Sequence, residues 1–156
     1  MLDRRWAAVL TVATVMLLGL WLATAGGREP TRVVMPMDQV QARLADQARF
    51  ATGRMVEGAE VPVVRPPPGD VWLVARRWDF EPGLELQPGA TYRLHIAAED
   101  VVHSAVVGDA EVLLVPGQVV EVPLTAPQSG RVRLQCGEYC GLGHTRMIGS
   151  VEVAPR

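Results

Sequence analysis

Residues Ala7 to Ala25 form nineteen consecutive uncharged, mostly apolar residues. At 1.5 Å rise per residue a helix of that length reaches about 28 Å, close to the ~30 Å hydrocarbon core of a bilayer. Arg4 and Arg5 precede the run. The positive-inside rule then predicts a cytoplasmic N-terminus, with everything after Gly26 outside. The competing reading is a cleaved signal peptide, for which Ala23-Thr24-Ala25 offers a small-x-small site. Signal h-regions run to about 7–15 residues, so the greater length favours a retained, single-pass anchor. Either way the remaining chain is expected on the outer, periplasmic face of a bacterial inner (plasma) membrane, an oxidising compartment.

Outside that run the composition is that of a globular protein. A chain of 156 residues, 49% hydrophobic and 21% charged, reads as one domain with appendages. Disordered, collagen-like and multi-span membrane classes are excluded. Every one of the 15 basic residues is Arg. A Lys-rich nucleic-acid-binding face is therefore absent, and no nucleic-acid partner is expected. Residues 66–156 hold seven Arg against eleven acids, a balance of −4.

The segment after the anchor changes character twice. Gly26-Gly27 breaks the apolar helix, and Asp38 with Gln41 three residues on reads as a capping box. Val40, Leu44, Ala48, Ala51 and Met55 recur on one helical face, which predicts a short amphipathic helix ending near Gly58. Pro62 to Gly69 reads as a stiff extended linker, so the expected domains are an anchor (1–27), helix plus linker (28–69) and a C-terminal domain (70–156). That last domain is expected to fold from about Pro66 onward without the rest.

From Asp70 the apolar period becomes two. Strands are predicted at Val71–Trp78, Tyr92–Ala97, Val101–Val107, Glu111–Val115, Val119–Leu124, Arg131–Cys136 and Ile148–Val153. Pro-Gly pairs at 82–83, 88–89 and 116–117, and Ser129-Gly130, mark turns between them. Short strands so spaced argue for an all-β antiparallel sandwich or barrel.

The chemistry is concentrated in Cys136-Gly137-Glu138-Tyr139-Cys140-Gly141-Leu142-Gly143-His144-Thr145-Arg146-Met147, with His103 upstream in Asp100-Val101-Val102-His103-Ser104. Thiolate, imidazole and thioether together form the soft donor set that selects copper. A single blue-copper site needs one Cys, and the second Cys in this loop can bridge a second copper. Two bridging thiolates would share one electron between two metals, which keeps geometry nearly constant on reduction. A disulfide is the competing reading of Cys136 and Cys140, and the following His and Met argue against it. A thioredoxin-like copper chaperone also carries C-x3-C, but its cysteines come early, before a helix and with the histidine downstream, whereas here they lie near the C-terminus with His103 upstream.

From Val71 to Val153 the chain resembles subunit II of the haem-copper cytochrome c oxidases, specifically its CuA domain. The resemblance rests on Arg77-Trp78-Asp79-Phe80-Glu81-Pro82-Gly83, Leu94-His95-Ile96, the His103 segment and the cysteine loop. It implies a cupredoxin-like Greek-key sandwich holding a dinuclear copper centre. Cys136 and Cys140 would bridge the coppers, His103 and His144 would be terminal ligands, and Met147 and the Glu138 carbonyl would be axial. The Glu138 carboxylate has a second role in A-type relatives, at a magnesium ion on the subunit I interface. One anchor helix rather than two is similar to the B-type oxidases. The resemblance further implies a cytochrome c-type donor outside and a haem-bearing subunit I that carries out oxygen reduction. An alternative host keeps the copper pair but places it outside a cytochrome c oxidase, in a tethered carrier or a nitric oxide reductase. His95 reads as an ordinary sheet histidine and Trp72 as packing. Trp78 also reads first as packing, and its place in the segment resembling the family's aromatic patch makes electron entry to the copper pair the competing reading.

Overall fold

A computed structural model of the chain describes residues 3–25 and 30–154. The expected break at Gly26-Gly27 lies outside the described residues. Helix α1 spans Arg4–Ala25, and its described side chains, those of residues 4–23, are exposed. It is long and apolar enough to cross a membrane. Within it Thr11 and Thr14 donate their hydroxyls to the carbonyls of Ala7 and Leu10, which satisfies both polar groups inside the helix.

The rest is a β-sandwich. Strands β1 (Arg32–Val34), β4 (Gly69–Arg76), β5 (Asp79–Glu81), β7 (Thr91–Ala98) and β10 (Gln118–Thr125) form one sheet in the order β1-β10-β7-β4-β5. Strands β2 (Ala51–Met55), β3 (Pro62–Val64), β6 (Gly83–Leu86) and β12 (Val151–Val153) form the second, ordered β12-β6-β3-β2. A third, small sheet joins β8 (His103–Val107) to β9 (Ala110–Leu114) and β11 (Leu134–Gln135). Leu73, Leu94, Ile96 and Val120 from the first sheet meet Val64, Leu84, Leu86 and Val151 from the second in a single buried core.

The sandwich is mixed rather than antiparallel. β4 runs parallel to β7, and β6 runs parallel to both β3 and β12. Parallel neighbours need a crossover. Here the chain leaves the first sheet after β5, adds β6 to the second, and returns as β7. Two expected strands are also shorter than their apolar pattern: Arg131 and Ile148 join their sheets only through isolated bridges, to Glu152 and Gln135.

Residues 30–69 belong to this sandwich, which corrects three expectations. Helix α2 covers only Met37–Gln47, then tightens to a 3-10 turn at Ala48–Phe50. Ala51 and Met55 lie in β2, where Gly53 at φ +76° marks a bulge against β3. The capping box does not form. Pro36 occupies the N-cap, so Asp38 sits inside the first turn, and the Gln41 amide donates to Glu99 instead. The proline-rich linker starts as a strand, with Val63 and Val64 buried and paired to β6. Proline carries no N–H, so Pro62 fits the first position of such a strand.

Helix α2 covers the outer face of the first sheet, where Val40 packs with Ala97, Val119, Leu44 and Trp72. β5 pairs only with the Val74–Arg76 end of β4. Further along that strand the buried Gln47 side chain replaces a neighbour: its Oε1 accepts from Trp72 N at 2.8 Å and its Nε2 donates to Trp72 O at 3.0 Å. A fragment starting at Pro66 would lose α2, β1, β2 and β3, so the expectation that it folds alone does not agree with this packing.

Candidate metal centre

Four loop residues and one strand residue converge at one end of the sandwich. β8 delivers His103, fully buried on its core-facing side. The loop after β11 delivers Cys136 and Cys140, and a 3-10 turn at His144–Arg146 places His144 and Met147. The loop is stitched back onto itself by Cys136 N donating to Met147 O at 3.1 Å. Cys136, Cys140 and Met147 are buried, and His144 is half-buried.

The two thiols are unbonded, 3.8 Å apart. Cys136 Sγ lies 3.8 Å from His103 Nδ1 and 3.1 Å from the Glu138 carbonyl oxygen. Cys140 Sγ lies 3.7 Å from His144 Nδ1 and 3.6 Å from Met147 Sδ. Each sulfur thus has one imidazole and one weaker donor beside it. Donors bound at roughly 2.0–2.3 Å to one tetrahedral metal sit about 3.3–3.8 Å from each other. The cluster therefore already has the spacing of a metal-binding set, and its sulfur-rich character suits copper. Burial, and after it the neighbouring Cys136, push the Cys140 thiol up to about 11, so a metal must displace its proton.

Around this set lies a shell that residue types alone did not single out. Asp100 Oδ1 sits 2.8 Å from His103 Nε2 and accepts from Val101 N at 2.7 Å, while its Oδ2 accepts from Arg77 N and Nε at 3.0 and 3.1 Å. Burial alone would raise the Asp100 pKa. Hydrogen bonds from His103 and from the backbone of Arg77 and Val101 outweigh it and hold the carboxyl at about 2. A carboxylate fixing the second nitrogen of a metal-facing imidazole is the usual way to set its tautomer and aim. An Asp three residues before the histidine was the available signal.

Trp78 roofs the loop, since a Cβ at Gly143 would clash with its indole ring and one at Gly141 would lie 3.3 Å from its Nε1. Arg146 stacks over the same indole at 5.6 Å. The Glu138 side chain is exposed, so only its carbonyl faces the thiols. Around the loop Leu142 is 93% exposed, Tyr139 71% and Ile148 61%. His95 lies elsewhere, stacked on Trp72 at 4.5 Å and bonded to Asp70 at 2.8 Å.

A β-sandwich with a His-Cys-Cys-His-Met cluster at one end defines a cupredoxin-like domain. The same fold occurs in rusticyanin from Thiobacillus ferrooxidans, which matches 82% of this chain and all of its own with a TM-score of 0.52 at 22% identity. A chain of a heme-copper terminal oxidase dimer matches 97% of this chain and 100% of its own, TM-score 0.62 at 23% identity. Residues 83–154 match the family described as cytochrome c oxidase subunit II, periplasmic domain. Two cytochrome c oxidase subunit 2 proteins of Thermus thermophilus are 34% identical over 86 residues, which is 53% of this chain and 64% and 51% of theirs. The aligned part thus spans about half to two thirds of those relatives.

Proposed function

We propose that this chain is subunit II of a haem-copper terminal oxidase, receiving electrons from a cytochrome c-type donor and passing them to haem in subunit I. The observation that carries the reading is the thiol pair at 3.8 Å with an imidazole and a weaker donor beside each sulfur. A single-centre copper site would use one thiolate and leave the other without a function. Two coppers bridged by Cys136 and Cys140, with His103 and His144 as terminal ligands and Met147 and the Glu138 carbonyl axial, would supply a one-electron relay.

The chain's own residues explain why such a site works. Burial of both thiols and Met147 keeps water from the sulfurs. Asp100 holds His103 by its far nitrogen, and Trp78 presses the loop closed. Donor atoms that are fixed beforehand need little rearrangement as charge changes, which suits rapid transfer. Leu142, Tyr139 and Ile148 give the loop an apolar outer surface for partner proteins. The exposed Glu138 carboxylate stands free of the thiols, available for a magnesium ion at the subunit I interface. Helix α1 would anchor the domain as a single pass, N-terminus in the cytoplasm and copper domain outside.

The test is purification of the full chain from membranes under mild detergent, with metal analysis and electron paramagnetic resonance. Two coppers per chain, one electron shared between them, and a co-purifying haem subunit are expected. One copper with a blue single-centre spectrum overturns the dinuclear reading. Two coppers without any haem subunit would place the chain outside an oxidase.

A further inference from the structure

Ser104 and Glu111 have no role in binding the metal, yet they grip the first peptide of the metal loop. Consecutive residues of a strand face opposite ways. His103 points into the core, and Ser104 therefore points to the outer face of β8, where Leu113 and Glu111 are exposed and Val106 half-exposed. Ser104 alone on that face is buried, at 3% exposure. Gly137, the residue after Cys136, covers it.

The contacts form a directed chain. Gly137 N donates to Ser104 Oγ at 2.8 Å, and Ser104 Oγ donates to Glu111 Oε1 at 2.9 Å. A carboxylate only accepts, so Glu111 takes the hydroxyl proton and leaves a Ser104 lone pair for the Gly137 amide. The fit is close: a Cβ at Gly137 would lie 2.9 Å from Ser104 Oγ and clash with the Glu111 carboxylate. β8 thus holds the site by both faces, its His103 facing Cys136 Sγ and its Ser104 holding the peptide that follows Cys136.

We propose that Glu111 and Ser104 are positioning residues for the metal centre. Their relay fixes the Gly137 peptide plane, and so the approach of Cys136 Sγ and the Glu138 carbonyl, while keeping the Gly137 N–H from turning onto a thiolate. A hydrogen bond to a metal-bound sulfur draws electron density from it and favours the reduced state. Releasing that amide is expected to raise the reduction potential without removing metal. The inference rests on the proposed copper centre for this last effect alone.

The experiment uses the full chain in detergent and four variants: Ser104→Ala, Ser104→Thr, Glu111→Ala and Glu111→Gln. In the metal-free protein, hydrogen exchange at Gly137 N–H is expected to quicken about tenfold in Ser104→Ala and Glu111→Ala, the size of one lost net hydrogen bond. Ser104→Thr and Glu111→Gln, which keep a hydroxyl and an oxygen acceptor, should stay within about twofold of the parent. In the copper-loaded protein the two Ala variants should retain copper with a raised potential and an altered charge-transfer spectrum. Unchanged exchange in Glu111→Ala, or Glu111→Gln behaving like Glu111→Ala, overturns the relay. The exchange measurement needs no copper, so it separates failure of the relay from failure of the dinuclear assignment.

Discussion

His103 Nε2 lies 2.8 Å from Asp100 Oδ1, and its Nδ1 faces Cys136 Sγ at 3.8 Å. The ring is thereby held from behind by a carboxylate and presented to the thiols by its other nitrogen. Arg77 fixes Asp100 in turn.

That arrangement predicts a metal effect. Asp100→Ala should weaken copper retention by about 10–100-fold, the range seen when a carboxylate behind a ligand imidazole is lost. Competition against a copper chelator measures it. Retention equal to the parent would show that His103 is oriented by packing alone.

It also predicts an acid limb. The Asp100 carboxyl is held at about 2 in the fold against 3.8 as its reference. A depressed folded value means that its contribution is complete above about 4 and is lost as pH falls through about 2. Chemical unfolding of metal-free protein between about pH 5 and pH 2 should lose more stability in the parent than in Asp100→Asn. Parallel pH profiles would refute this.

Bridging and axial roles separate by substitution. Cys136→Ser or Cys140→Ser should abolish the dinuclear spectrum, because a hard hydroxyl does not replace a soft thiolate. Met147→Leu should keep copper and shift the potential. Loss of all copper from Met147→Leu would show that the thioether holds the metal rather than tunes it.

The roof over the loop is a steric test. Gly143 has φ −93°, so any residue could adopt its backbone; what excludes a side chain is the Trp78 ring. Gly143→Ala should destabilise by about 1–3 kcal/mol through overpacking. In a Trp78→Ala background the same change should cost much less, a coupling that thermal unfolding of the four proteins would reveal. Additive effects would mean that the indole moves aside.

Much of the centre was legible because its donors crowd into one twelve-residue stretch whose spacing survives any uncertainty about strands. The fold was less legible where long-range pairing overrides local pattern. Ala51 and Met55 fit a helical face, yet Gly53 at positive φ and pairing with β3 make them strand. Pro62-Val63-Val64 looks like linker until β6 arrives beside it, parallel and distant in sequence. Nothing in the sequence marks Gln47 for burial, which follows only from the edge of β4 at Trp72 that lacks a strand neighbour. Ser104 and Glu111 meet Gly137 through folding alone, which no spacing announces.

Docking of the donor gives the last prediction. Residues 66–156 carry seven Arg and eleven acids, a mild excess of negative charge. Several of those acids are engaged: Asp100 with Arg77, Glu85 with Arg65, Glu152 with Arg131. The metal loop itself presents Leu142, Tyr139 and Ile148 to solvent. Steering by charge should thus be modest and apolar contact should carry the encounter. Reduction by a basic cytochrome c should slow only a few-fold as ionic strength rises from about 0.01 to 0.15 M, where the screening length falls from roughly 30 to 8 Å. Stopped-flow reduction across that series, repeated with Leu142→Ser, decides the matter. The Leu142→Ser chain should react more slowly at every salt concentration with the same salt slope. A hundredfold loss with salt would instead point to a concentrated acidic patch, and a rise with salt to a donor that is itself acidic.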